Sequence, residues 1–425
     1  MYIQTTRNED RNKYEMSIFC LNVGQFSEKL HRTSYFLMSY LYARYLFAPM
    51  LPFNKVSKLR IRRSTTTSPE TFDVEVWTKE ILKVSSRRRV NLIVRMVKDG
   101  VEDKELEIYK TIVEDIKTYL EEKYFINFQP IPKFIKIISE EERQPEGDDH
   151  AGGSKIFMIE NKRHLGFEKD RMKNKEGLDY EHSVIVIAAL AKFHATSYCF
   201  RKHGEVAMVE NYPVLKEELA FPDISEETIT VLGKLSKTYP EYEKCSDIFS
   251  AYTNKDKQIL NSDLECFGVL SHGYFCREKL LFKYKNNQDS MLSCSDVIFE
   301  DLSRCHYGSC VLDLLQFIFT SVDPQVRHNF MADFVCSVYY DNFAKTVHSI
   351  NSKIVMFSQK DFIKEFNTNI MYGFFFSAEI QTLLYLEAND NSDVSAETDE
   401  KYEKYIIALV RDVLHFMMCA KATII

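Results

Sequence analysis

Apolar positions along the chain follow two rhythms, and the change from one to the other gives the first outline of a fold. Val90-Asn91-Leu92-Ile93-Val94-Arg95-Met96-Val97 is a short β-branched run ended by Asp99-Gly100, the pattern of a strand and a turn. From Glu105 to Tyr124 the apolar residues move to helical spacing, with Leu106, Tyr109, Ile112, Val113, Ile116 and Leu120 on one side. A second apolar strand is expected at Ile156-Phe157-Met158-Ile159. Leu178-Asp179-Tyr180-Glu181 then opens a helix over 182–197, with Asp179 as its N-cap and Val184, Ile187, Leu190, Ala191 and His194 on its buried face. Two short strands follow, around Phe282 and over 297–299. The tail from Asp313 to Ile425 reads as several long helices. A strand-rich first third and a helix-rich remainder predict an α+β chain of two lobes with a crevice between them.

One stretch breaks the pattern. Glu140 to Ser154 combines charge, proline and a glycine pair, and is expected to be a surface loop. Tyr35 to Leu51 is apolar and aromatic but carries Arg44 and is shorter than a membrane span, so it is expected to be a helix packed on the body of the protein. The basic clusters at 58–63 and 87–89 read as solvated faces or turns.

Composition narrows the function classes. The chain has 425 residues and a formal net charge of −7, so nothing in its charge points to a nucleic-acid partner. Its ten cysteines include no CxxC pair, and the closest two are Cys305 and Cys310, which argues against zinc ribbons. Reduced, mostly buried thiols are expected. The first 14 residues are polar and charged, unlike a secretory signal. A cytoplasmic protein without a membrane span is the expectation.

Four stretches, in order, resemble the ecdysteroid-kinase-like family, which is related to choline and aminoglycoside kinases. They are Leu92-Ile93-Val94-Arg95; Glu105-Leu106-Glu107-Ile108-Tyr109; a long run from Ile156 through Gly177-Leu178-Asp179-Tyr180-Glu181-His182 to Leu190-Ala191-Lys192-Phe193-His194-Ala195; and a run from Val269-Leu270-Ser271-His272-Gly273 to Leu312-Asp313-Leu314-Leu315. The last contains Leu281-Phe282-Lys283-Tyr284, Leu302-Ser303-Arg304 and Tyr307-Gly308-Ser309. The resemblance implies a protein-kinase-like bilobal fold, with a small strand-rich upper lobe and a large helical lower lobe. ATP would lie between them, and a small-molecule hydroxyl would be the acceptor. Residues 1–84 then form a divergent part of the upper lobe, and 85–160 its sheet and helix, with a hinge near 158–161. Residues 161–425 form the lower lobe, with the catalytic segment at 269–315.

The same resemblance assigns roles position by position, and several residues depart from it. Phosphoryl transfer requires held phosphates, Mg²⁺ and a carboxylate that positions the acceptor. The family's phosphate loop contains glycine, whereas this chain has none between Gly24 and Gly100. The strand lysine is Arg95, which keeps the charge but not the compact ammonium; it could contact phosphate or form a structural pair with Glu105. With Arg95, Glu105 and Glu160 are the candidate nucleotide-binding residues. The H-G-D-x-x-x-x-N motif reads His272-Gly273-Tyr274-Phe275-Cys276-Arg277-Glu278-Lys279. Tyr274 therefore takes the place of the base, and Lys279, which has no lone pair while charged, that of a metal-binding asparagine. His272 is expected to organise backbone. The second metal aspartate aligns with Phe299; only Asp301 or Glu300 could replace it if the register slips. Strand alternation favours Asp301, since it would share a face with Phe299.

Lys279 is expected either to pair with Asp301 or Glu300, where a relative would hold Mg²⁺, or to point to solvent. Asp313, Tyr307-Gly308-Ser309, Asp179, Glu181 and His182 match positions that hold the fold. Retained scaffold and altered chemistry lead to the expectation of a pseudokinase that binds an unidentified protein or a small hydrophobic ligand, with no cofactor. The alternative is a residual kinase that uses ATP and Mg²⁺, with Glu278 as a possible base and a hydrophobic alcohol such as an ecdysteroid as acceptor.

Overall fold

The computed structural model describes residues 3–8, 13–18, 54–63, 71–80, 87–98, 103–124, 131, 134–138, 154–172, 176–204, 206–217, 224–239, 262–286, 292–390 and 396–423, with the strands before residue 158 described as backbone. The run 35–51, and the segment 140–154 apart from Ser154, lie outside these residues. The chain divides into two units. One comprises Met1–Asp103 with Pro132–Gly166, and the other Lys104–Ile131 with Phe167–Ile425.

The first unit is built on a seven-stranded antiparallel sheet in the order β1-β2-β3-β4-β5-β7-β6. Its strands are β1 (Ile3–Asn8), β2 (Lys13–Ile18), β3 (Asn54–Arg63), β4 (Thr71–Glu80), β5 (Arg87–Lys98), β6 (Phe134–Ile138) and β7 (Ser154–Glu160). β5 is the strand expected at 90–97. From Leu92 to Arg95 it is paired on both sides, for example Val74↔Leu92 with β4 and Ile93↔Ile159 with β7. The basic clusters lie in strands and not in turns: 58–63 is part of β3, and 87–89 opens β5. Each pairs residue by residue with β4, so of the two expectations, a solvated face or a turn, the turn does not hold. After β7, the Asn161 side chain accepts from the Arg163 amide (3.0 Å) and caps a 3₁₀ turn that Gly166 ends at φ 89°.

In the second unit, α1 covers 104–124, with a π turn at Tyr109–Val113 between α-helical ends. Its apolar side is buried as the spacing predicts, with Leu106, Tyr109, Ile112, Val113, Ile116 and Leu120 all under 8% exposed. Sequence reading places this helix with the sheet of the upper lobe; the structure groups it with the second unit. Long-range contacts are the reason: Tyr119 Oη donates to Cys199 O (3.4 Å), Tyr212 Oη to Asp115 (2.6 Å), and the Leu302 amide to Glu105 (3.0 Å).

α2 (Tyr180–Gly204) extends beyond the expected 182–197, and Asp179 caps it by accepting from the His182 amide at 3.1 Å. Among the described residues α2 is long and apolar enough to cross a membrane, but most of its apolar stretch is buried inside the protein. Among the described residues the other helices of ten residues or more are α3 (Glu226–Thr238), α4 (Cys310–Ser321), α5 (Pro324–Asp333), α6 (Asp341–Ile350), α7 (Gln359–Thr368), α8 (Ile370–Asp390) and α9 (Ala396–Thr423). They bear out the helical tail. Tyr198, Tyr339, Phe343, Phe357 and Phe362 stack into one aromatic core that joins α2, α6 and α7. Small strands frame the segment of interest: β8 (Phe167–Glu168), β9 (Gly268–Ser271), β10 (Leu280–Asn286), β11 (Leu292–Phe299) and β12 (His306–Ser309).

Candidate active site

Two antiparallel ladders converge on residues 272–279. β9 runs into His272 while paired with β12, and β10 leaves Lys279 while paired with β11 in the register Leu280↔Phe299. The Glu300 amide donates to Lys279 O (2.8 Å), which extends that ladder one step and brings 279 beside 300 and 301.

α4 grips the segment from below. Buried Asp313 accepts from the His272 amide (2.6 Å) and the Gly273 amide (2.9 Å). Gln316, one turn on, accepts from the Phe275 amide (2.7 Å) and donates to Gly273 O (3.1 Å); Ser321 Oγ accepts from the Arg277 amide (2.8 Å). Burial opposes the Asp313 charge, yet the hydrogen bond from His194 (3.0 Å) helps hold its pKa below the ordinary range. Gly273 has φ 83°, and a Cβ there would lie 1.9 Å from Arg304 O, so only glycine fits.

His272 is buried, and its Nε2 lies 3.0 Å from Glu300 O. Burial lowers its pKa, so it serves as a neutral backbone organiser, in keeping with its expected role. Tyr274 packs against Phe376 (5.6 Å between centroids), and burial pushes its phenol up to about 12. Phe299 is fully buried among Phe193, His272 and Phe275.

Lys279 Nζ lies 2.5 Å from Asp301 Oδ2 and 5.5 Å from the centre of the Tyr274 ring. Of the arrangements left open for Lys279, the structure has the Asp301 pair; Glu300 turns instead to Lys169 (3.0 Å). The expected alternation from Phe299 to Asp301 does not hold, because β11 ends at Phe299 and Asp301 has φ 68°. Aspartate tolerates this left-handed conformation, and its carboxylate here accepts from Ser303 N (3.3 Å) and Ser303 Oγ (2.5 Å). Burial works against the Asp301 charge, but the hydrogen bonds from Lys279 and Ser303 outweigh it and hold its pKa at about 2.

Of the three residues considered for nucleotide contact, Arg95 and Glu160 belong to the first unit and Glu105 to the second. Glu105 is buried and accepts from the Leu302 amide, directly after Asp301. Glu160 pairs with Lys162 (2.7 Å) in the first unit. Arg95 lies on β5 opposite Thr71 and Phe157, and its side chain is outside the described residues. Glu278, considered as a base under the alternative, sits in the 3₁₀ turn Arg277–Lys279.

Sequence reading missed Gln316 and Ser321, although both are polar residues in the largely apolar α4, and Gln316 lies at helical spacing from Asp313. It also missed the clamp of Arg277 on Asp170 (Nε to Oδ2, 2.8 Å; Nη2 to Oδ1, 2.5 Å), which has no local signal.

Among solved structures the chain is similar to a protein from Ralstonia eutropha provisionally described as an aminoglycoside phosphotransferase (14% identity, 88% of this chain and 97% of that one, TM-score 0.40). It is also similar to the amicoumacin kinase hAmiN in complex with AMP-PNP, Ca²⁺ and Ami (12%, 88% and 96%, 0.40). A third is choline kinase from Cryptosporidium parvum Iowa II (11%, 86% and 90%, 0.34). No curated protein matches the chain. The sequence pattern of the ecdysteroid kinase-like family matches residues 55–352, well over half the chain. With this match, the chain, a two-unit α+β protein, belongs to the ecdysteroid kinase-like family.

Proposed function

We propose that this small-molecule kinase-like protein is a pseudokinase: a non-catalytic protein that binds a protein partner or a small hydrophobic ligand in the cytoplasm. The Lys279–Asp301 pair carries the reading. Family resemblance puts a metal-binding asparagine at 279, and here an ammonium there holds the carboxylate that was the best remaining metal ligand. The residues present do not fit Mg²⁺, which requires near-octahedral oxygen ligands. Phe299 offers a ring enclosed by other rings, and Asp301 is committed to Lys279 and Ser303. Tyr274, a phenol pushed up to about 12, is not a proton acceptor at neutral pH. The scaffold of the segment is retained through Asp313, Gly273 and His272 while these side chains differ, which supports a change of use and not a loss of fold.

The test is ATP hydrolysis by the purified chain with Mg²⁺, since water can replace an unidentified acceptor. No ADP above the buffer control is expected. Mg²⁺-dependent turnover that follows the protein through purification would overturn the reading in favour of a residual kinase acting on a hydrophobic alcohol.

A further inference from the structure

At the C-terminal end of α2, Arg201 is buried to 7% exposure between the rings of Tyr198 (5.3 Å) and Tyr307 (5.9 Å). A guanidinium taken out of water requires an anion, and the one it has is weak. Nη2 donates to Glu265 O (3.0 Å), a backbone carbonyl. The Glu265 carboxylate stands 3.5 Å from Nη1 and is itself 90% exposed. Nε has no hydrogen-bond partner among the described residues.

A half-open cleft of about 460 Å³, a size suited to a small organic molecule, is lined in part by Arg201. Lys202 adds a second cation, the stretch Val206–Val209 forms a largely apolar wall, and Tyr307 adds its ring while its hydroxyl donates to Leu264 O (2.8 Å). Glu210 and Glu265 also line it. The two carboxylates balance the two cations, which disfavours a dianion, and a single negative charge is accommodated where Glu265, exposed to water, turns away from Arg201. A planar carboxylate matches the arginine fork.

We propose that this cavity binds a small monocarboxylate with an apolar body, its carboxylate on Arg201 in place of Glu265 and its apolar part against Val206–Val209. The site does not rest on the pseudokinase reading: of the segment 269–315 it uses Tyr307 alone, and none of Tyr274, Lys279, Phe299 or Asp301.

The experiment is a titration of the full chain with hexanoate, benzoate and phenyl phosphate, followed by calorimetry or ligand-observed NMR. Saturable binding of a carboxylate probe is expected. Glu265→Gln, at an exposed position, should tighten it about two- to fivefold by removing the competing exposed charge. Arg201→Lys keeps the charge but loses the fork, and should weaken binding about tenfold. Should Arg201→Lys not fold, the Glu265→Gln result decides alone. Absence of saturable carboxylate binding in both wild type and Glu265→Gln would overturn the site. Unchanged affinity in Glu265→Gln would overturn the displacement of Glu265. Dianionic phenyl phosphate binding as tightly as benzoate would overturn the monocarboxylate assignment.

Discussion

Lys279 and Asp301 form a partly buried ion pair, 2.5 Å from Nζ to Oδ2, across the end of the β10–β11 ladder. Their side chains are 26% and 22% exposed, between a surface pair and a dry one. Lys279→Met should therefore destabilise the protein by about 1–2 kcal/mol in urea unfolding. Unchanged melting would show that the pair contributes nothing.

The same pair should give a pH signature. The folded pKa of Asp301 is about 2, below its ordinary 3.8. A carboxylate lowered on folding stabilises above its unfolded pKa, and that contribution is lost as pH falls through the folded value. The gap between wild type and Lys279→Met should hold steady above about pH 5 and close as pH approaches about 2. A gap that widens in acid would contradict this account.

Asp313 is expected to be the strongest single support of the segment, because it is fully buried and accepts from the His272 and Gly273 amides and from His194. Asp313→Asn leaves an amide facing donors and should cost about 3–5 kcal/mol, read by denaturant unfolding. Its pKa is held below the ordinary range, so its contribution is present above that range and lost on acidification through the lowered value.

Gly273→Ala places a Cβ on Arg304 O at a φ of 83°. A loss of about 3 kcal/mol or more is expected, through strain and overlap together. A variant that melts like wild type would mean that the turn can relax.

Much of this was legible in the sequence. The β5 run, the buried face of α1 and the Asp179 cap are local patterns, and local patterns survive folding. The Lys279–Asp301 pair was one of the arrangements expected, since a cation at a metal-binding position must find a counter-charge or reach water. Other features required the fold. Asp301 leaves the strand alternation because β11 stops one residue short of Glu300, which no run of residue types announces. Asp170 and Arg277 are more than a hundred positions apart, and Gln316 acquires its role only when α4 lies under the Gly273 turn. The grouping of α1 with the second unit likewise depends on Cys199, Tyr212 and Leu302, all distant in sequence.

The central claim is tested most directly by the melting temperature of the purified protein with saturating ATP, with and without Mg²⁺. A ligand that binds only the folded state adds about 2.7 kcal/mol at a hundredfold excess over its dissociation constant, so genuine binding is easily read. The account predicts that Mg²⁺ makes no difference, whether or not ATP alone shifts the curve. A shift that appears only with Mg²⁺ would contradict it and would mean that Asp301 exchanges Lys279 for a metal ion.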